Sequence, residues 1–195
     1  MDNEKKAFQI PLFNPKFEKH GYIQVYTGDG KGKTTASLGL ALRALGRGWS
    51  VLIVMFTKGG DDYGELKTFK NLCGEIERRF KVITAGLDRI VYKNNVTEQD
   101  KKAVQEGWEY TKNAVKEGKY QLIILDEANI AIDLDLIKLD DMIEFLKNKP
   151  DDIEIVLTGR NAHKKITDLA HLVSKIEPVK HYWDLGVRAR EGIEY

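Results

Sequence analysis

The residues best equipped for chemistry are gathered in one short run, Thr27-Gly28-Asp29-Gly30-Lys31-Gly32-Lys33-Thr34-Thr35. Alternating glycines let a backbone turn tightly and aim N–H groups at a single anion. Lys33 offers a flexible point charge for phosphate oxygens, and Thr34 offers a hydroxyl for Mg2+. A helix opening directly after the loop adds the positive end of its dipole. On its own the run could be a glycine-rich turn before a helix; the Lys-Thr-Thr and the strand ahead of it select the phosphate reading. It departs from G-x-x-x-x-G-K-[ST] at one place, because the first glycine position holds Thr27. The common loop shape is therefore not assumed for it.

A second run, Leu122-Ile-Ile-Leu-Asp126-Glu127, is an apolar strand ending in two carboxylates. An acid at such a strand end helps hold Mg2+ beside a phosphate loop; the alternative is a carboxylate that only caps the next turn. A third, Leu157-Thr-Gly-Arg160, places an arginine at another strand end, either as a phosphate clamp or as a solvated surface residue. The acidic stretch Asp61-Asp62-Tyr63-Gly64-Glu65 follows a strand at the same edge and reads as a solvated turn, with a substrate loop as the alternative. His20, His163, His171 and His181 have no metal-ligand spacing and read as core or surface residues. The single cysteine, Cys73, has no CxxC or histidine partner in sequence and reads as a packing residue.

The elements that must position these groups follow from hydrophobic patterning. Tyr22–Thr27, Val51–Phe56, Phe80–Ile83, Leu122–Leu125 and Ile153–Leu157 are short apolar or β-rich runs of the kind that form buried parallel strands, and Leu172–Ile176 is a weaker sixth. Thr35–Arg47 carries Leu38, Leu42 and Leu45 at helical spacing and stops at Gly46-Arg-Gly. Thr97 with Asp100 forms the start of a second helix; Val104, Trp108, Thr111 and Val115 set its apolar face, and Gly118 closes it. Leu139, Met142, Ile143 and Leu146 mark a third before Pro150. Strands alternating with helices imply right-handed crossovers and a parallel sheet covered on both faces. The expectation is a three-layer α/β/α P-loop domain over 21–195, RecA-like, with a mainly parallel sheet of five to six strands. Ligands bind at the carboxyl ends of such strands, where all three runs lie. Residues 1–20, with Phe8, Ile10, Leu12, Phe13 and Phe17 broken by Pro11 and Pro15, read either as an arm over the body or a site, or as a mobile tail.

Composition sets the outer bounds. At 195 residues with 42% hydrophobic content the chain can bury a full core. A net charge of +1 argues against a generic nucleic-acid coat. One cysteine allows neither an intrachain disulfide nor a cysteine-based zinc cluster, which fits a reducing, cytoplasmic setting. No apolar run is long enough to span a bilayer, and the charged Met1–Lys6 has no signal-type segment behind it. The expectations are no membrane and no nucleic-acid partner.

Taken together, these motifs resemble the ATP:corrinoid adenosyltransferase family of the P-loop type, which acts on cob(I)alamin and cob(I)yrinic acid a,c-diamide. The resemblance rests on Gly28-Asp-Gly-Lys-Gly-Lys-Thr-Thr, Val54-Met-Phe-Thr-Lys58-Gly59, Leu125-Asp-Glu, Leu157-Thr-Gly-Arg160 and the closing run Pro178-Val-Lys-His-Tyr-Trp-Asp184-Leu-Gly186 to Gly192-Ile-Glu-Tyr195. It implies transfer of the 5′-deoxyadenosyl group of ATP to a corrinoid cobalt with release of triphosphate, in adenosylcobalamin synthesis or salvage. It further implies a triphosphate running along the loop in the direction opposite to common ATPases, in keeping with Thr27. The implied ATP contacts are Gly28, Asp29, Gly30, Lys31, Gly32, Lys33, Thr34, Thr35 and Arg160. Lys33, Thr34 and Glu127 take catalytic roles, and Thr34, Asp126 and Glu127 hold Mg2+. The resemblance also implies an external electron donor such as a flavoprotein, and a homodimer.

Aromatics expected in the loop after the third strand are absent. Thr84-Ala-Gly-Leu87-Asp-Arg89-Ile-Val-Tyr92 stands there, so Leu87, Tyr92 and, from the arm, Phe13 are the corrinoid candidates. The competing functions are another P-loop ATPase or small-molecule kinase, and a non-enzymatic ATP-binding module; products other than triphosphate, or salt-dependent DNA binding, distinguish them.

Overall fold

The structure is a computed structural model, which describes residues 20–60, 62–71 and 75–195. The expectations for Phe8, Phe13 and Phe17, and for Cys73, lie outside the described residues. Among the described residues six strands form one sheet: β1 (Ile23–Thr27), β2 (Val51–Phe56), β3 (Phe80–Ala85), β4 (Leu122–Asp126), β5 (Glu154–Thr158) and β6 (Leu172–Lys175). Their order is β3-β2-β4-β5-β1-β6, and every pairing is parallel. The helices are α1 (Lys33–Gly46), α2 (Gly64–Lys70), α3 (Glu75–Arg79), α4 (Glu98–Glu117), α5 (Ala128–Asp133), α6 (Leu139–Lys147) and α7 (Lys164–Leu169).

Successive side chains of a strand point to opposite faces, and the sheet divides its apolar residues accordingly. Leu52, Val54, Phe56, Ile123, Leu125, Ile155 and Leu157 face one way, onto Val104 and Trp108 of α4, Met142 and Leu146 of α6 and Ile166 of α7. Val51, Ile53, Met55, Leu122, Ile124 and Val156 face the other way, onto Ala41, Ala44 and Leu45 of α1 and Leu66 of α2. This is the expected three-layer sandwich, and the whole of β2 is buried. Buried Trp108 donates its indole N–H to Asp141 at 2.6 Å and meets the Phe145 ring edge-on at 4.8 Å.

The reading of α1 needs one correction. Leu42 is 69% exposed, and the face on the sheet carries Ser37, Ala41, Ala44 and Leu45. Leu45 is buried and Leu38 packs beside it, so the expected stripe fails at Leu42 alone, and small residues let this helix approach the strands closely. The reading of α4 stands: Thr97 and Asp100 form a reciprocal capping box, and Gly118 ends the helix at φ 62°. The edge strands differ from the central ones, since β3 is half-buried and all four residues of β6 are exposed.

β5 lies between β1 and β4, so the strand carrying the glycine loop and the strand ending in Asp126 are not neighbours. Their carboxyl ends still open on one edge of the sheet, where the chain turns sharply three times: Thr57, Glu127 and Asn161 take φ near +58°. Such conformations are rare for residues other than glycine, and they cluster at functional sites.

Candidate functional site

A cleft of about 870 Å³ opens at this edge. Its floor is the loop 29–35 and the first turn of α1. Its walls are the segments after β2, β3, β4 and β5 together with the end of the chain, Gly192–Tyr195.

The loop geometry follows from its sequence. Thr27 is still in β1, paired in register with Lys175, so no glycine is needed there. The left-handed turn begins one residue later, at Gly28 with φ 93°, and recurs at Gly32 with φ 117°, which opens α1. A Cβ at Gly28 would collide with the Ile176 carbonyl. One expectation is corrected: the loop amides do not all face one anion, because Gly30 N–H donates to Ile176 O at 2.8 Å. Lys31 is also directed elsewhere. Its ammonium donates to Ile193 O at 2.9 Å and lies 3.3 Å from the Glu194 carboxylate, tying the loop to the C-terminal run.

Lys33 folds back over the loop. It is buried, and its Nζ donates to Gly28 O and Gly30 O at 2.7 Å each. Burial pulls its pKa below the ordinary lysine value, against the opposing pull of Glu127. Thr34 and Thr35 line the cleft beside it.

Asp126 and Glu127 have different surroundings. Asp126 is fully buried, does not line the cleft, and has both oxygens engaged: Thr158 Oγ1 donates to Oδ1 at 2.7 Å and Lys58 Nζ to Oδ2 at 2.8 Å. Glu127 lines the cleft at φ 58°. Burial, with help from the neighbouring Asp126 charge, raises its pKa above the usual carboxylate range. Arg160 lines the cleft opposite, its Nε 3.5 Å from Asp29 Oδ1.

Leu87 lines the far wall with Asp88, Arg89, Ile90 and Val91. Tyr92 does not; it is 59% exposed and its N–H closes a turn onto Asn95 Oδ1. Arg89 is held from behind by buried Asp100, so the capping box of α4 also steadies this wall. Of the acidic stretch, Asp62 is exposed, Tyr63, Gly64 and Glu65 line the cleft where α2 begins, and Asp61 lies outside the described residues. His163 and His181 accept N–H bonds at helix starts, and His171 accepts from Ile23 N–H at 3.1 Å. His181 also lines the cleft.

The sequence offered no individual role for Lys58, Glu194 or Tyr195, and named Tyr63 only within a stretch that could be a substrate loop. Lys58 stands at a strand end, as Asp126 does, and that position was its available signal. The closing run carried the family resemblance but no sign of its place in the cleft, because only the folding of the chain back over the loop brings it here.

The parallel sheet with an interposed strand, the glycine loop running into α1 and the acids at the end of β4 define a P-loop nucleotide-binding domain of RecA-like topology. A model of the family described as ATP:corrinoid adenosyltransferase BtuR/CobO/CobP matches residues 19–195, and the chain belongs to that family. The corrinoid adenosyltransferase of Escherichia coli (strain K12) is 35% identical over 178 residues, 91% of this chain and 87% of that protein. Corrinoid adenosyltransferase CobA of Salmonella typhimurium is 36% identical over the same shares of the two chains. A corrinoid adenosyltransferase of Sinorhizobium sp is 32% identical over 98% of this chain and 88% of that protein.

Proposed function

We propose that this chain transfers the 5′-deoxyadenosyl group of ATP to the cobalt of a reduced corrinoid and releases triphosphate. The observation that carries the reading is the cleft itself. It joins a phosphate loop, with Lys33 and Arg160 at hand, to a wall that carries apolar Leu87, Ile90 and Val91 beside charged Asp88 and Arg89. One end suits a polyanion and the other a large, largely apolar ring system.

Co(I) is a strong nucleophile and needs no general base. The Co–C5′ bond forms as the C5′–O5′ bond breaks; the electron pair leaves with the triphosphate and cobalt becomes formally Co(III). The tasks left to the protein are to align C5′ with cobalt and to stabilise charge on the leaving group. Lys33 and Arg160 supply positive charge, and the loop supplies dipoles that need no rearrangement as the charge develops.

The donor set fits a single Mg2+. Thr34 offers a hydroxyl and Glu127 a carboxylate on the cleft wall, and hard oxygen donors with the remaining positions left to phosphate and water are what this ion takes. When bound, Mg2+ supplies charge neutralisation for the triphosphate. Asp126 is assigned no direct contact with it, since Lys58 and Thr158 already engage both its oxygens.

Generation of Co(I) requires an outside electron donor, for which a flavoprotein has the right chemistry, and a reducing cytoplasmic compartment suits the substrate. No helix among the described residues is long and apolar enough to cross a membrane. A homodimer completes the reading; exposed Leu172 and Val173 on the edge strand β6 are suited to a second copy.

The test mixes the protein with ATP, Mg2+ and cob(I)alamin. The expected result is the spectrum of light-sensitive adenosylcobalamin with stoichiometric triphosphate. ADP or orthophosphate as the product would show a different P-loop enzyme.

A further inference from the structure

Lys58 is a second lysine beside the phosphate loop, half-buried where Lys33 is buried. It follows Thr57, a β-branched residue held at φ 59°, in a conformation sustained only where the surroundings over-determine it. Those surroundings are visible. The chain after β2 packs backbone to backbone on the chain after β3, so that a Cβ on Gly86 would sit 2.5 Å from Lys58 N. The side chain runs to the space between the two elements that most define the site. Its Nζ donates to Thr34 Oγ1 at 3.1 Å and to Asp126 Oδ2 at 2.8 Å, and lies 5.8 Å from the centre of the Tyr63 ring. Burial opposes the charge on this ammonium, but the carboxylates of Asp126 and Glu127 outweigh burial and hold it protonated. Lys58 nevertheless lines the cleft, with its side chain 18% exposed.

A cation between the loop threonine and the strand-end acid changes what both can do. Asp126 is neutralised by its partner and cannot also serve a metal ion without giving Lys58 up. The Thr34 hydroxyl keeps one lone pair for another contact. The ammonium is fixed by two acceptors, so it meets a polyanion with little loss of side-chain freedom. In the low-dielectric floor of a cleft such a charge acts more strongly than an exposed lysine does.

We propose that Lys58 is a triphosphate-binding residue of this cleft, and that Asp126 serves as its anchor rather than as a ligand of the metal ion. The inference rests on the nucleotide reading of the cleft and adds a phosphate contact to it. A purely structural account of the same pair is that Lys58 only neutralises a buried carboxylate.

The two accounts separate in a double variant. Lys58→Met alone leaves Asp126 buried and unpaired and risks unfolding. Lys58→Met with Asp126→Asn removes both charges and keeps the approximate volumes. Inorganic tripolyphosphate, with and without Mg2+, is titrated into wild type and double variant by calorimetry, and unfolding temperatures are compared. The expected result is a folded double variant that binds tripolyphosphate about ten-fold more weakly or worse, with a raised KM for ATP in turnover. Recovery of wild-type tripolyphosphate affinity in a folded double variant would overturn the proposal in favour of simple neutralisation. A wild-type protein that binds no tripolyphosphate would overturn the nucleotide reading, and this inference with it.

Discussion

Lys31 and Glu194 meet at 3.3 Å, joining the phosphate loop to the last residues of the chain. Glu194 also receives the Tyr182 hydroxyl and the Arg190 guanidinium, so one carboxylate gathers donors from three residues of the loop and the tail. The tail in turn lines the cleft through Gly192, Ile193, Glu194 and Tyr195. Glu194→Gln should release this strap without unfolding the core, since Glu194 lies outside both apolar layers. The expected effect is a rise in KM for ATP of roughly three- to ten-fold, the size of one modest contact. Steady-state kinetics checks it; an unchanged KM would mean that the tail is a bystander.

The same carboxylate gives a pH prediction. Hydrogen bonds from Arg190 first and Tyr182 second hold the Glu194 pKa down at about 2. A depressed carboxylate pKa means that the folded state favours the charged form. The contribution of Glu194 is therefore fully present above the unfolded value of about 4.3 and is lost as pH falls from there through the folded value. The Arg190 amide reports this directly, because its N–H donates to Glu194 Oε2 at 2.8 Å. In an NMR titration its shift should move with a midpoint of about 2; a midpoint of about 4.3 would show that the cluster does not form in solution.

Lys33→Ala should remove most activity while leaving the fold intact. Among the described residues its ammonium bonds to carbonyls of the loop, Gly28 O and Gly30 O, and its loss touches neither apolar layer. A transition-state charge contact of this kind is worth about 10²–10³-fold in turnover. Adenosylcobalamin formation followed by absorbance, with circular dichroism as the control for folding, gives the answer. Near-normal turnover would mean that the loop holds something other than the triphosphate.

The sequence made the central sheet and the loop legible for different reasons. Val51–Phe56 and Leu122–Leu125 are buried on both faces, which calls for apolar residues throughout, and both strands stand where the runs placed them. The capping box at Thr97 and Asp100 is a local hydrogen-bond pattern and was readable as one. Leu42 misled because a helix lying close to a sheet presents alanine and serine to it beside Leu45, and a further leucine can then face outward. α2, α5 and α7 escaped notice because each has seven or fewer residues, too few for a helical period to emerge. Within the site, residues at the ends of strands and in the glycine loop were found from their neighbours in sequence. Lys58 bonding Asp126, and Lys31 turned away toward Glu194, are facts of tertiary approach with no local trace.

The wall that carries Leu87 depends on the start of α4. Thr97 Oγ1 donates to Asp100 Oδ2 at 2.6 Å, and Asp100 also receives Arg89, which lines the cleft. Thr97→Ala removes one cap and should cost about 1 kcal/mol, lowering Tm by roughly 2–4 °C for a domain of this size. Asp100→Ala should cost more, about 3 kcal/mol, because it strands the Arg89 charge and the helix end together. Below its melting point the second variant should also turn over corrinoid more slowly, since Arg89 loses its anchor. Calorimetric melting beside activity at a low fixed temperature measures both; equal activity in the two variants would detach Arg89 from the substrate wall.

Glu127 and Asp126 are adjacent in sequence and opposed in role, and metal dependence should tell them apart. Glu127 faces the cleft with a carboxylate whose pKa burial has raised, so a cation bound against it stabilises its charged form. Glu127→Gln keeps the shape, retains an oxygen and removes the charge. It should raise the Mg2+ concentration for half-maximal turnover by at least about ten-fold, as loss of a group that holds or orients a metal typically does. Asp126→Asn should instead act through Lys58: the ammonium keeps an oxygen partner but loses its countercharge, so unfolding temperature and ATP affinity fall while the Mg2+ requirement moves little. Titrating Mg2+ at saturating ATP in the two variants decides the assignment. If Asp126→Asn shifted the Mg2+ requirement as far as Glu127→Gln, both carboxylates would serve the ion and Lys58 would have to leave Asp126 when the metal binds.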